Sequence, residues 1–166
     1  MTLICYLVRH GVAEERSPRC EDGERALTVE GVQKMRRVVS GLHRLRIRPD
    51  AIWSSPLRRA HETADLLAAG LEVKSASICA ALAPGSEEAD VLGMLQTGPD
   101  SLMLVGHQPD LGRLASYLLT GDPIAAELPF KKGGVACLAW QGHEVAVRAQ
   151  LQWFLTPGQL RLMGRA

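Results

Sequence analysis

Two short segments hold the side chains best suited to chemistry. An apolar run ends at Leu7-Val8-Arg9-His10-Gly11, and a second ends at Val105-Gly106-His107. Each places an imidazole within two residues of a strand-like run and beside a glycine. Open α/β sheets collect ligands at the carboxyl ends of their strands, so two parallel strands of this kind deliver both imidazoles to one edge. A third segment, Ser55-Pro56-Leu57-Arg58-Arg59, starts a helix just after another short strand, and its arginines reach the same edge. Guanidinium groups, two imidazoles and a helix N-terminus converging on one point suit a tetrahedral dianion. A phosphoryl group fits that description. Arginine forks hold its non-bridging oxygens, and a neutral imidazole can attack phosphorus to form a covalent intermediate that water later hydrolyses.

The elements that position these residues follow from periodicity. Thr2 to Val8 is a short, buried, strand-like run, and the polar stretch from Gly11 through Glu24 reads as a loop lining or covering the site. Thr28 caps a helix whose apolar positions Val32, Met35, Val38, Val39, Leu42 and Leu45 recur at helical spacing. Ala51 to Ser54 reads as a strand, then Ser55 as an N-cap and Pro56 as the first helical residue of a helix to about Ala69. Further on come a weakly signalled strand over 73–79, a helix from Glu87 to Gln96, a clear strand from Ser101 to Val105 and a helix from Asp110 to Leu119. The chain then reads as two strands, Gly134 to Trp140 and Glu144 to Leu151, joined by a turn at Gln141-Gly142, and a short tail. This alternation predicts one α/β domain over residues 1–166: a three-layer sandwich, helices on both faces of a mostly parallel mixed sheet, with no large cap subdomain.

Composition narrows the function classes. A net charge of +1 offers no general attraction to nucleic acid or to a membrane. Its distribution is uneven: residues 1–60 hold 12 Lys/Arg against 7 Asp/Glu, which suits an anionic substrate. Much of that excess, Arg36, Arg37, Arg44, Arg46 and Arg48, reads as a solvated helix face. The apolar N-terminal run is too short for a targeting segment or a membrane span, so the expected location is cytoplasmic. Cys5, Cys20, Cys79 and Cys137 lack metal-ligand or redox spacing, and Cys5 and Cys137 read as buried thiols, Cys20 as exposed. No metal or cofactor is expected. His43 and His143 read as solvated, and His61 as structural.

Arg9-His10-Gly11, the run Ser54-Ser55-Pro56-Leu57-Arg58-Arg59-Ala60-His61-Glu62-Thr63-Ala64, and Val105-Gly106-His107 together resemble the histidine phosphatase superfamily in order and spacing. The small size, Leu82-Ala83-Pro84-Gly85, Gly106-His107-Gln108-Pro109 and Trp153-Phe154-Leu155-Thr156-Pro157 are similar to its short SixA-type phosphohistidine phosphatases. The resemblance implies that His10 is the nucleophile and that Arg9, Arg59 and His107 hold the phosphoryl group. Gly11, Ser55, Arg58 and Gln108 are substrate-binding candidates. In the family pattern the key arginine directly precedes Ala, with Thr four positions on, which selects Arg59 over Arg58. Larger relatives carry a general acid on an inserted segment. Here Glu87 and Glu88 are the candidates, and a first-turn helix role also explains them. A site without a strong acid suits a leaving group such as an imidazole. The implied partner is a phosphorylated protein, for example a histidine phosphotransfer domain. A small phosphate ester is the alternative substrate, and a non-catalytic phosphate-binding module the alternative class.

Overall fold

The computed structural model describes residues 2–141 and 148–165. Eight residues, Thr2–Arg9, form β1 at the centre of a six-stranded sheet. The other strands are β2 (Ala51–Ser54), β3 (Ala76–Ile78), β4 (Ser101–Gly106), β5 (Val135–Gln141) and β6 (Gln150–Leu155), in the spatial order β3-β2-β4-β1-β5-β6. Pairings among β3, β2, β4 and β1 are parallel, while β5 and β6 run antiparallel. The helices are α1 (Val29–Arg44), α2 (Arg58–Gly70), α3 (Glu88–Thr97), α4 (Asp110–Thr120) and α5 (Pro157–Met163).

Strand alternation sorts the core into two layers. Leu3, Cys5 and Leu7 of β1, with Leu102 and Leu104 of β4 and Ala136 and Leu138 of β5, pack against Val91 and Leu95 of α3 and Leu111, Leu114 and Leu118 of α4. Tyr6, Val8, Met103, Val105 and Cys137 point the other way, onto Met35, Val38 and Leu42 of α1, Ala64 and Leu67 of α2 and Leu160 of α5. The strands are thus buried on both faces, as parallel central strands must be, and the expected three-layer mixed sandwich is present. Cys5 and Cys137 are buried free thiols and Cys20 is half-buried.

Thr28 caps α1 as expected, its hydroxyl accepting from the Gly31 N–H at 2.9 Å. Three local expectations need correction. The second helix begins at Arg58, not at Pro56, because Ser55 stays with the sheet: its N–H bonds to the Val105 carbonyl at 2.9 Å and its hydroxyl accepts from the Leu57 N–H at 3.2 Å. The last strand is Gln150–Leu155, displaced from the expected 144–151, since Trp153, Phe154 and Leu155 find partners in Cys137, Ala136 and Val135. Residues 142–147, which include His143 and part of that expected strand and turn, lie outside the described residues. Finally, the supposed tail contains α5. Its signal was in the sequence: Thr156 and Gln159 form a capping box around Pro157 at the first helical position.

Candidate active site

The register of the sheet builds the site. β1 and β4 are parallel neighbours with Arg9 opposite Gly106, so the next residue of each strand is a histidine at the same height. The rings of His10 and His107 lie 5.1 Å apart between centroids, tilted by 55°. The ladder runs one step further, with the His10 N–H bonding to the Gly106 carbonyl at 3.1 Å. On the other side of β4, Ser54 pairs with Val105, which sets Ser55 beside the β4 tip. Its hydroxyl lies 2.7 Å from His107 Nε2. Three adjacent strands thus contribute to one edge.

A chain of hydrogen bonds ties helix α2 to the β1 tip. The Gly11 N–H donates to Thr63 Oγ1 at 3.0 Å, and that hydroxyl donates to the Arg59 carbonyl at 2.7 Å. Gly11 itself packs closely: a Cβ there would stand 2.6 Å from Cγ of Met35 on α1. Arg9 is fixed from the opposite side, its Nη1 donating to the Phe130 carbonyl at 2.7 Å. Arg59 is 5% exposed, and both its Nη atoms donate to one residue of the loop after His10: Nη1 to the Asp22 carbonyl at 2.7 Å and Nη2 to Asp22 Oδ2 at 3.1 Å.

Protonation follows from this environment. Burial pushes His10 down to about 3, against the bond to Gly11, with the charges of His107, Arg59 and Arg9 acting the same way as burial. His107 is lowered to about 4 by burial first, and then by Arg59. Both imidazoles are therefore neutral at neutral pH. The 2.7 Å contact of His10 Nδ1 is with a carbonyl oxygen, that of Gly11, so Nδ1 carries the proton and Nε2 keeps its lone pair. Burial also pulls Arg9 and Arg59 below their ordinary value; for Arg59 the Asp22 carboxylate opposes the shift. Among the described residues, Arg9 Nε, Arg59 Nε and His107 Nδ1 are buried without a hydrogen-bond partner. Leaving such a group unpaired costs about 1–3 kcal/mol, more if charged, so these atoms are available to a bound anion.

The structure thus gathers Arg9, His10, Gly11, Ser55, Arg59 and His107. Ser55 serves His107 from a fully buried position. The other expected residues lie elsewhere or have other partners. Arg58 is exposed on α2 and donates to Glu62 at 2.8 Å. Gln108 gives its Nε2 to the Leu128 carbonyl at 3.0 Å. Glu87 is exposed at the start of α3, and Glu88 accepts from Arg113 Nε at 2.7 Å, although its residue lines a small cavity shared with His107 and Asp110. His61 sits 3.2 Å from Ser54 Oγ, in a structural place. Two site-building residues escaped the sequence reading. Thr63 was there in the family pattern without a role, and Asp22 had no signal beyond lying in the loop after His10.

Comparison with known proteins agrees with this geometry. Residues 5–83 match the family model of the histidine phosphatase superfamily (branch 1). An uncharacterized protein of Picosynechococcus sp. is 34% identical over 154 residues, covering 90% of this chain and 93% of that one. The chain belongs to the histidine phosphatase superfamily. In fold it is similar to the protein histidine phosphatase SixA complexed with tungstate, at a TM-score of 0.83 and 23% identity over 95% of this chain and 99% of that one. A mycobacterial glucosyl-3-phosphoglycerate phosphatase gives 0.66 at 16% identity, covering 94% and 100%. Phosphoglycerate mutase from Bacillus anthracis gives 0.67 at 14%, covering 99% and 97%. At these identities the likenesses speak for the fold. Among the described residues, no helix is long and apolar enough to cross a membrane.

Proposed function

We propose that the chain is a phosphatase that forms a covalent phosphohistidine at His10 and acts on phosphohistidine carried by a protein. The observation that carries the chemistry is the His10 ring, with Nδ1–H held by the Gly11 carbonyl, the Nε2 lone pair left free, and the His107 ring 5.1 Å away between centroids. In the first step that lone pair attacks phosphorus while the P–N bond to the substrate imidazole breaks. The departing nitrogen keeps the electron pair and takes a proton from solvent. Water then adds to phosphorus as the P–Nε2 bond breaks, releasing inorganic phosphate and a proton and restoring neutral His10. Arg9, Arg59 and His107 hold the phosphoryl oxygens, where charge must be stabilised as it is redistributed.

What supports this substrate is the state of the nearby carboxylates. Glu87 is exposed, the Glu88 carboxylate is engaged by Arg113 and that of Asp22 by Arg59 and Arg25, so a leaving group that departs without a strong acid fits best. A small phosphate ester is the second reading, favoured by one observation: Glu88 and Asp110 line the cavity beside His107, where a proton donor to an alkoxide would be needed. The two separate in one assay. With chelator present, phosphate should be released faster from a phosphorylated histidine phosphotransfer domain than from sugar phosphates; the reverse order sinks the leading reading. Acid-labile phosphate should be trapped on the wild-type chain and absent from His10→Ala. A wild type that binds phosphopeptide yet is never labelled would point to a binding module.

A further inference from the structure

We infer that Asp22 is a positioning residue that sets both the pose of Arg59 and the strength with which the site holds phosphate; the inference rests on the phosphoryl-binding role of Arg59 given above. The loop between His10 and α1 folds back so that Asp22 meets both Nη atoms of Arg59, one through its carbonyl and one through its carboxylate. Only Nε of Arg59 is left without a partner, and it is buried. The arginine is therefore held by one N–H of each Nη, with Nε–H and the second N–H of each Nη left for a phosphoryl group.

The carboxylate is held in turn by further arginines of the same loop. Arg25 donates to Asp22 Oδ1 from Nη2 at 2.8 Å and from Nε at 3.0 Å, and Arg16 Nε lies 3.3 Å from the same oxygen. Arg25 also donates to the Glu14 carbonyl at 2.7 Å, which closes the loop upon itself. Burial alone would raise the Asp22 carboxyl, but the hydrogen bonds and charges of Arg59 and Arg25 outweigh it and hold the group below its usual range. A negative charge is thus built into a site that binds a negative ligand. Its electrostatic consequence is weaker retention of phosphate, and its geometric consequence is a fixed Arg59. A phosphatase that turns over must release inorganic phosphate, and a counter-charge on the arginine favours that release.

Removing the charge should tighten phosphate binding and, by slowing phosphate release, lower turnover, a pairing that a merely structural role would not produce. Inorganic phosphate titrated calorimetrically into the full chain should bind Asp22→Asn about three- to tenfold more tightly than wild type, while kcat on a fixed substrate falls by a similar factor. Asparagine keeps the backbone bond to Arg59 Nη1 and an amide oxygen for Nη2, so only the charge is removed. Asp22→Glu restores the charge and should return phosphate affinity to within about twofold of wild type. Asp22→Ser is the second uncharged variant and should move affinity in the same direction as Asn. Phosphate affinity that is unchanged or weakened in a folded uncharged variant overturns the inference. Failure of the underlying reading looks different: Arg59→Ala would then bind phosphate as wild type does, whereas failure of the inference alone leaves the Arg59→Ala loss intact.

Discussion

At the tip of β1 the imidazole of His10 meets a backbone carbonyl, whereas at the tip of β4 the imidazole of His107 meets the hydroxyl of Ser55. A carbonyl only accepts, so the His10 proton has one place, Nδ1. A serine hydroxyl accepts or donates, and Ser55 Oγ already accepts from the Leu57 N–H, which leaves its own proton free for an imidazole nitrogen. His107 can therefore hold its proton on either nitrogen, including the buried Nδ1 that has no protein partner. Two residues equivalent in sequence and in sheet position thus differ in what they offer. One presents a fixed lone pair, suited to attack. The other presents an adjustable donor, suited to an oxygen whose charge changes during reaction.

Truncating each histidine puts this difference to its hardest test. His10→Ala should lose at least about 10³-fold in kcat together with the trapped phosphoenzyme, because the attacking atom is gone. His107→Ala should lose about 10²-fold, the usual effect of removing one preorganised donor, and should still form labelled enzyme. Equal losses with neither variant labelled would erase the distinction. Ser55→Ala should be milder, about tenfold in kcat, since it releases His107 Nε2 without removing the ring. An effect as large as that of His107→Ala would give Ser55 a direct part in the chemistry.

The pH dependence gives the smallest and most general effect. Both imidazoles are held below their ordinary value, His10 at about 3 and His107 at about 4. Between about pH 5.5 and pH 8 neither changes charge, so kcat/KM on a substrate that does not itself titrate should show no limb near the usual histidine value of about 6.5. For stability, the folded values lie below the unfolded ones, so the unfolded chain binds more protons as the pH falls. The stabilisation from keeping these rings neutral is complete above about pH 6.5 and is lost progressively towards pH 3. Chemical denaturation across that range should show it, and the slope should diminish in His10→Gln.

Surroundings account for how much of this was legible in the chain. Arg9, His10 and His107 stand at the ends of hydrophobic runs, which puts them on one edge once the two strands are parallel; the resemblance of Ser54 to Ala64 to the family pattern singles out Arg59 from Arg58. The helix over Val29–Arg44 and its Thr28 cap also follow from local spacing, since cap and apolar stripe lie within a few residues of each other. Where local signals competed, the reading slipped: Ser55 has the character of an N-cap yet remains bonded to the sheet, and Trp153 to Leu155, read as part of a tail, complete a strand.

By itself, then, the sequence determined which residue types arrive at the sheet edge, because side-chain alternation and strand ends are properties of neighbouring residues. Only the tertiary structure decided what each of them does there. Arg58 and Arg59 differ by one position, and the turn of α2 sends the first to Glu62 on the surface and the second to Asp22 in the site. The tautomer of His10 is fixed and that of His107 is left open because one meets a carbonyl and the other a hydroxyl. The Ser55–His107 and Asp22–Arg59 contacts join residues far apart in the chain, and their partners, depth of burial and protonation are set only when strands and loop are packed together.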